Sequence, residues 1–251
     1  MNQSQLYGAY DRNPGPVVNF ITYLRDLYGL QRHGLLLDMG CGPGRLLAPL
    51  SESGWKVTDS EPDSEPDSDY SATARAVIRG LPEARFSQGG FRDLEEDANY
   101  DLIASTNSRY CYVLNAAHRR EALARCARAL RPGGVLFLEL LNFFWVLKNY
   151  REPPPLTVEI DGVTVTRTVQ QDFDYDRGIM THWTQYGWDG ASGAKQSARK
   201  THRTAMVSYS EIALFLEDAG FDDVHTFNSF NDRAPEQLAG GKIMVSARWH
   251  P

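Results

Sequence analysis

Three closely spaced glycines follow a short apolar run and an acid. The segment from Leu35 to Gly44 reads LLLDMGCGPG, with Asp38 just before Gly40, Gly42 and Gly44. Glycine lacks a Cβ, so its backbone approaches a ligand closely and adopts conformations that other residues avoid. The carboxylate of the acid can accept hydrogen bonds from a cationic ligand. In the dinucleotide fingerprint the third glycine comes three residues after the second, whereas here it comes two residues after, which disfavours a nicotinamide enzyme.

This segment resembles the first motif of the class I S-adenosylmethionine (SAM)-dependent methyltransferases, which reads D-x-G-x-G-x-G. The resemblance covers about 35–140 and resumes from Ser208 to Ala247. It implies that SAM is the cofactor and that the acid and the three glycines of this segment bind it. The implied reaction is in-line transfer of the SAM methyl group to an oxygen or nitrogen of a small molecule.

The resemblance also places an acid at the end of the second strand, where its two acceptor oxygens suit the two hydroxyls of ribose. The usual spacing selects Glu61, which is followed by Pro62. Asp59 and Asp63 compete for this role. The letters SEPD occur twice in succession here, so Glu65 in the second copy is a further candidate. We interpret the repeat as a tandem duplication of four residues.

The resemblance assigns three further pairs of residues to the cofactor, namely Tyr7 and Tyr10, Gly90 and Phe91, and Thr106 and Asn107. The first pair would close over the methionine carboxylate, although ordinary packing is an alternative role. The second pair stands where relatives have Gly-Asp, and it would offer adenine backbone groups and an apolar wall. The third pair follows the fourth strand, which passes under the methionine part of SAM in relatives.

Catalytic residues are weakly marked, because methyl transfer mainly needs an aligned nucleophile in a site that excludes water. A hydroxyl acceptor can also need a general base. The candidates are His182 in the later β-rich region, Tyr110 after the fourth strand and Glu139 in the fifth. His182 is the best candidate base, and a structural role is its alternative.

Short apolar runs alternate with helical patterns through the first 150 residues, which predicts an α/β fold. We expect a Rossmann-like open sheet of about seven strands. Pro153–Pro155 interrupts this pattern, and four β-rich stretches with turn signals follow. Residues 151–207 are therefore predicted to be an antiparallel β insertion after strand five. Residues 1–150 and 208–251 are predicted to form the SAM-binding domain.

The predicted insertion is rich in aromatic residues: Phe173, Tyr175, Trp183, Tyr186 and Trp188. A four-stranded meander cannot bury both of its faces alone, so one face should pack on the domain or on a partner chain. Because the insertion follows strand five, it emerges at the carboxyl edge of the sheet, where ligands bind. We predict a cover that determines the substrate. An interface in a homodimer is the alternative.

The composition sets limits on function. A net charge of −6 without a clear basic cluster argues against nucleic-acid binding. The longest apolar run, 135–147, contains Glu139 and Asn142, so no membrane span is expected. The N-terminus shows no secretory signal, and the three cysteines have no metal-ligand spacing. These features predict a cytoplasmic enzyme without a metal. The missing Gly-Asp acid keeps one further class open, a SAM-fold binding protein without methyl transfer.

Overall fold

Two β-sheets and six helices make up the part of the chain that the computed structural model describes, residues 6, 13–62, 70–190, 193–232 and 237–251. The helices are α1 (Gly15–Tyr28), α2 (Leu47–Glu52), α3 (Tyr70–Ile78), α4 (Ala116–Ala129), α5 (Phe143–Asn149) and α6 (Tyr209–Asp218), with a 3-10 helix at Arg109–Tyr112. The larger sheet contains β1 (Leu35–Met39), β2 (Lys56–Glu61), β3 (Arg85–Gln88), β4 (Tyr100–Ser105), β5 (Leu130–Leu141), β10 (Phe221–Phe227) and β11 (Lys242–Trp249). The smaller sheet contains β6 (Leu156–Ile160), β7 (Val163–Asp174), β8 (Ile179–Asp189) and β9 (Lys195–Ala205).

The larger sheet has the order β10-β11-β5-β4-β1-β2-β3. The first five strands of the chain run parallel, and β11 lies antiparallel between β10 and β5. This arrangement confirms the predicted α/β open sheet of seven strands. The strand order reverses at β1, which pairs with β2 on one side and β4 on the other. Open α/β sheets bind ligands at such a reversal, outside the carboxyl ends of the strands.

The central strands are apolar on both faces because helices cover both sides of the sheet. Leu36 and Leu102 belong to one buried cluster, which also includes residues of α1 and α2. Leu37 and Ile103 belong to the other, with residues of α4 and α6. The central strands β1 and β4 are therefore buried on both faces.

The sequence predicts helix starts at Asn115 and at Ser208, where SYSE fits a capping box, and the caps confirm both. The Asn115 side chain accepts a hydrogen bond of 3.2 Å from the backbone N–H of His118, at the start of α4. The Ser208 hydroxyl accepts one of 3.1 Å from the backbone N–H of Glu211, at the start of α6. Each cap satisfies a donor that the first turn of a helix leaves without a partner.

The smaller sheet is an antiparallel meander in the order β6-β7-β8-β9, which confirms the predicted β insertion after strand five. On β8, His182 pairs with His202 of β9, and Thr184 pairs with Lys200. Alternate residues of a strand point to opposite faces, so these four side chains share one face. We call this sheet the cover, and this face its inner face.

The structure differs from the sequence-based expectation after the fourth helix. Strand β5 begins at Leu130 rather than Val135, because Leu130 already pairs with Tyr100 of β4 before a register shift. Helix α5 was not predicted. It begins where the side chain of Asn142 accepts a hydrogen bond of 3.3 Å from the Trp145 N–H and so ends the strand. No helix among the described residues has the length and apolar character needed to cross a membrane.

Candidate active site

The glycine turn, residues 40–44, follows β1 and has a backbone conformation that favours glycine. Gly40, Gly42 and Gly44 have φ angles of 79°, 61° and 78°, which strain residues that carry a Cβ. The backbone N–H groups of Gly40 and Cys41 donate to the Ser60 carbonyl at 2.7 and 3.1 Å. The turn is therefore tied to the end of β2, and the motif and the acid that follows it are held together.

The arginine that follows β4 lies across this turn. A Cβ added to Gly40 would come within 2.8 Å of the Arg109 Cβ, and one on Gly42 within 3.1 Å of its Nη2. Asn107 and Ser108 have φ angles of 53° and 58°, so the chain turns sharply before Arg109. Sequence reasoning missed Arg109, because its place depends on this pair of left-handed residues.

Glu61 faces the cavity in front of the glycine turn. One of its oxygens accepts a hydrogen bond of 2.7 Å from the Gly42 N–H. The second oxygen lies 3.6 Å from Nη2 of Arg109. Its competitor Asp59 is fully buried and does not line this cavity. Asp63 and Glu65, which compete with Glu61 for the ribose in the sequence, lie outside the described residues.

Two buried carboxylates lie behind the turn. Asp38 and Asp59 are paired across β1 and β2, and they are 1% and 0% exposed. Among the described residues, no nitrogen or oxygen donor hydrogen-bonds to either carboxylate, and the Cys41 thiol is the side-chain donor that acts on Asp59. Burial raises the pKa of Asp38 to about 7, the negative charge of Glu61 adds to the shift, and Arg45 and Arg109 oppose it. Burial raises the pKa of Asp59 to about 9, with the charges of Asp38 and Glu61 adding to it.

These features fit SAM. A buried carboxylate without a hydrogen-bond donor is costly, and the ammonium group of a cationic ligand can supply one to Asp38. The glycine turn next to Asp38 lets a ligand come close to the backbone, because glycine has no Cβ. Glu61 presents two acceptor oxygens.

The cofactor cavity, as we call the space in front of the turn, has a volume of about 410 Å³. Five residues predicted to bind the cofactor line it: Gly40, Glu61, Pro62, Gly90 and Phe91. Phe91 is 5% exposed and packs edge-on against Tyr110, at a ring distance of 5.4 Å. The backbone N–H of Gly90 donates to the Asp93 carboxylate at 2.8 Å. Phe91 therefore gives this cavity an apolar surface.

A second cavity of about 320 Å³ lies between the larger sheet and the cover, and we call it the acceptor cavity. Its lining from the cover consists of Arg167, Met180, His182, Thr184, Tyr186, Lys200, His202 and Thr204. Tyr70, Arg109 and Tyr112 line both cavities. The two cavities therefore share a wall at the reversal of strand order.

The three predicted catalytic residues lie in different surroundings. His182 lines the acceptor cavity, and its ring nitrogens contact the Gln171 amide and the Thr184 hydroxyl, each at 3.1 Å. Burial lowers the pKa of His182, and the charge of Arg167 lowers it further. Since an amide nitrogen only donates, Nδ1 of His182 accepts from Gln171 and Nε2 carries the proton. Both nitrogens are thus occupied by cover side chains.

Glu139 also lines the acceptor cavity, but Tyr110 does not. Glu139 forms an ion pair with Lys242 and accepts a hydrogen bond of 2.9 Å from the Asn107 N–H. Tyr110 is fully buried, and its hydroxyl donates to the Arg119 carbonyl at 2.9 Å. Burial also raises the pKa of Tyr110. These positions favour an acceptor-facing role for Glu139 and a packing role for Tyr110, contrary to the catalytic role expected for Tyr110.

The sequence matches a known family over the region that builds the cofactor cavity. Residues 36–134 match a family described as a methyltransferase domain. The chain therefore contains a methyltransferase domain over these residues, which are less than half of its length. A provisionally named methyltransferase of Geobacillus sp. (strain WCH70) is 20% identical over 235 residues, 92% of this chain and 91% of that protein. The ubiquinone biosynthesis O-methyltransferase of Caulobacter vibrioides is 31% identical over 108 residues, 43% of this chain and 40% of that protein.

Solved structures share the fold over nearly the whole methyltransferase. The sugar N-methyltransferase KedS8 from Streptoalloteichus sp ATCC 53650 has a TM-score of 0.78 at 18% identity, covering 100% of this chain and 94% of that chain. SAM-bound CalS10, an amino pentose methyltransferase from Micromonospora echinaspora, has a TM-score of 0.75 at 20% identity, covering 97% and 94%. These likenesses confirm the predicted fold. The family match favours an enzyme over a binding protein without methyl transfer.

The remaining predicted cofactor residues either do not line the cofactor cavity or lie outside the described chain. Asp38 is buried, and Gly42 and Gly44 belong to the glycine turn without lining the cavity, although the Gly42 N–H donates to Glu61. Asn107 lines the acceptor cavity. Thr106 is 5% exposed and lines neither cavity. Tyr7 and Tyr10 lie outside the described residues.

Sequence reasoning missed Lys200 and His202 of β9, which line the acceptor cavity. Tyr112, which follows the fourth strand and was a candidate on the substrate side, ends the 3-10 helix and also lines this cavity. The rings of Tyr112 and His202 meet edge-on at 5.7 Å. The alternation of β9 could have placed Lys200 and His202 on one face, but the sequence does not say which face is inner.

Proposed function

We propose that this methyltransferase transfers the methyl group of SAM, held in the cofactor cavity, to an oxygen or nitrogen of a small molecule in the acceptor cavity. The shared wall of Tyr70, Arg109 and Tyr112 carries the proposal, because it brings the two ligands together. Two similar proteins are named for small-molecule methylation, a ubiquinone biosynthesis O-methyltransferase and a sugar N-methyltransferase. Their names support the class of acceptor.

Residues at the ends of β1 and β2 would hold the cofactor. SAM supplies an electrophilic methyl group on a sulfonium. Asp38 would accept hydrogen bonds from the amino acid end, and Glu61 from the ribose hydroxyls. Gly40 would allow close backbone approach. Phe91 and Pro62 would give the adenine an apolar surface.

The cover would exclude water and orient the acceptor. Tyr186 and Tyr112 place large, rigid side chains on two sides of the acceptor cavity, and in-line attack requires such exclusion and orientation. His182 is the proposed general base for a hydroxyl acceptor that takes the place of Thr184 at Nε2, in the tautomer that holds its proton on Nδ1, with the Gln171 amide rotated so that its oxygen accepts from Nδ1. If the Thr184 hydroxyl keeps its contact with Nε2, the hydrogen bonds of His182 make it a positioning residue.

We propose a cytoplasmic enzyme that does not bind nucleic acid, with a homodimer as the alternative use of the cover. Cys41, Cys111 and Cys126 are free and buried, which supports a reducing compartment. Size-exclusion chromatography with light scattering would determine the oligomeric state.

SAM and its demethylated product, S-adenosylhomocysteine, should bind with a Kd in the micromolar range, about −8 kcal/mol. Calorimetry measures this directly. Gly40→Ala should weaken binding much more than Gly162→Ala, because both positions have a positive φ but only Gly40 lines the cofactor cavity. A chain that gives no heat with either ligand, but a thermal shift with NAD, is not a SAM enzyme.

Removing two inner-face side chains should separate catalysis from cofactor binding. We expect the double variant His182→Ala, Tyr186→Ala to lose turnover while its SAM affinity stays within about 0.5 kcal/mol, the scale for remote sites. Product detection by mass over a panel of acceptors measures turnover. Thr201→Ala, on the outer face of β9, is the matched control. If turnover is unchanged and a dimer becomes monomeric instead, the cover is an interface.

A further inference from the structure

The acceptor cavity concentrates positive charge in an acidic protein. Its described lining includes four permanent cations, Arg109, Arg167, Lys200 and Lys242, and one carboxylate, Glu139. The whole chain has a net charge of −6. A cleft lined by one sign of charge attracts ligands of the opposite sign.

Two of these cations belong to ion pairs of the larger sheet. Arg109 lies 3.6 Å from Glu61, and Lys242 pairs with Glu139. Both contact the ends of strands of the larger sheet, β2 and β5. Arg167 and Lys200 come from the cover, on the other side of the acceptor cavity, and both also have contacts within the protein.

Among the contacts of the Lys200 ammonium is one with a neutral side chain. The ammonium donates to the Tyr70 hydroxyl at 3.2 Å and lies 4.5 Å from the centre of the Tyr70 ring. A phenol hydroxyl and an aromatic face hold a cation without removing its charge. Since Tyr70 lines both cavities, this contact aims Lys200 at the wall that the two ligands share.

The strand register places Arg167 and Lys200 on either side of β8. Arg167 pairs with Tyr186, and Lys200 pairs with Thr184, two residues along the same strand. Two strand spacings of about 4.8 Å and an offset of two residues along the strand put their backbones roughly 12 Å apart. Their side chains therefore flank a neutral polar floor. The positive field of Arg167 also reaches His182, where it adds to the lowering of the pKa by burial.

We infer that the acceptor carries an oxyanion, a carboxylate or a phosphate, which binds between Arg167 and Lys200. The guanidinium of Arg167 matches two oxygens of such a group, and the ammonium of Lys200 adds a point charge. The accepting oxygen or nitrogen then points to the shared wall of Tyr70, Arg109 and Tyr112. This inference rests on the proposed function, because it names the acceptor class of the same site.

The test compares acceptors that differ only in this charge. The pairs are 3,4-dihydroxybenzoate with 3,4-dihydroxybenzamide, and glucosamine 6-phosphate with glucosamine. Turnover with SAM is measured by product mass, and binding by thermal shift of the protein saturated with S-adenosylhomocysteine. We expect at least one anionic member to bind or react at a concentration tenfold lower than its neutral counterpart. The pair that shows this identifies a carboxylate or a phosphate.

Variants then assign the preference to the cover. Arg167→Gln and Lys200→Gln should each reduce the preference for the anionic acceptor to less than threefold. Lys200→Arg should retain this preference. Arg199→Gln is the matched control, since Arg199 adjoins Lys200 on β9 but contacts Trp183 on the outer face.

The inference fails if neutral members bind equally well, if no anionic member binds, or if both glutamine variants keep the preference. Loss of SAM binding, or no product with any acceptor, would instead overturn the proposed function. Methylation of neutral acceptors alone leaves that function in place and overturns only the anionic acceptor.

Discussion

Asp59→Asn is expected to stabilise the protein at pH 8 by roughly 3 kcal/mol, which raises the melting temperature by about 6 °C or more. The carboxylate of Asp59 is fully buried, and its described hydrogen-bond donor is the weak Cys41 thiol. Burial raises its pKa from 3.8 to about 9. The folded protein therefore holds a proton that the unfolded chain releases, and this costs stability as the pH rises from about 4 to about 9. An amide has no charge to lose.

The pH dependence is the decisive measurement for Asp59. The stability gain of the variant should be small at pH 4 and grow with pH by at most about 1.4 kcal/mol per unit. Chemical denaturation at pH 4, 6 and 8 measures it. Asp97→Asn, at an exposed position, should change stability by less than about 0.5 kcal/mol at each pH. A gain that does not change with pH would mean that Asp59 is ionised in the folded state.

Glu61→Ala is expected to weaken SAM binding by about 1.5–3 kcal/mol, which is roughly 10- to 150-fold. The side chain faces the cofactor cavity and also accepts a hydrogen bond from Gly42. The variant loses the acceptor oxygens proposed for ribose and leaves the guanidinium of Arg109 without this carboxylate. Calorimetric titration with SAM measures the loss.

The sequence repeat supplies the comparison for Glu61. Glu65 occupies the same place in the second copy of SEPD, and Glu65→Ala should change SAM affinity little. Glu61→Gln should lose less than Glu61→Ala, because a glutamine oxygen can still accept from the Gly42 N–H. A large loss for Glu65→Ala, with a small one for Glu61→Ala, would show that the second copy binds ribose.

Most of the fold could be predicted from local sequence, because the patterns that specify strands, turns and helix starts are short-range. The apolar run before Asp38 predicted a buried strand, and Asn115 and Ser208 predicted helix starts that their caps confirm. The glycine motif likewise predicted its own turn, since alternate glycines adopt the positive φ angles that the turn needs. Glu61 and Phe91 were placed at the cofactor cavity by family spacing alone.

Tertiary structure decided which side chains meet. Asp59 reads as one acid among several in the sequence, yet its register opposite Asp38 buries both carboxylates. Tyr110 and Tyr112 are two residues apart, but only Tyr112 reaches the cavities, because the 3-10 helix turns Tyr110 into the core.

For the acceptor cavity, too, the sequence predicted some features and tertiary packing decided the others. Sequence alternation established that His182, Thr184 and Tyr186 share a face, and the packing of the cover on the larger sheet made that face the inner one. Arg109 and Lys200 are about ninety residues apart in the chain. They line one cavity only because two sheets, each built from local patterns, pack together at the carboxyl ends of the strands. Such long-range contacts leave no periodic signal in a single sequence, so the chemistry of the acceptor site emerged only from the folded chain.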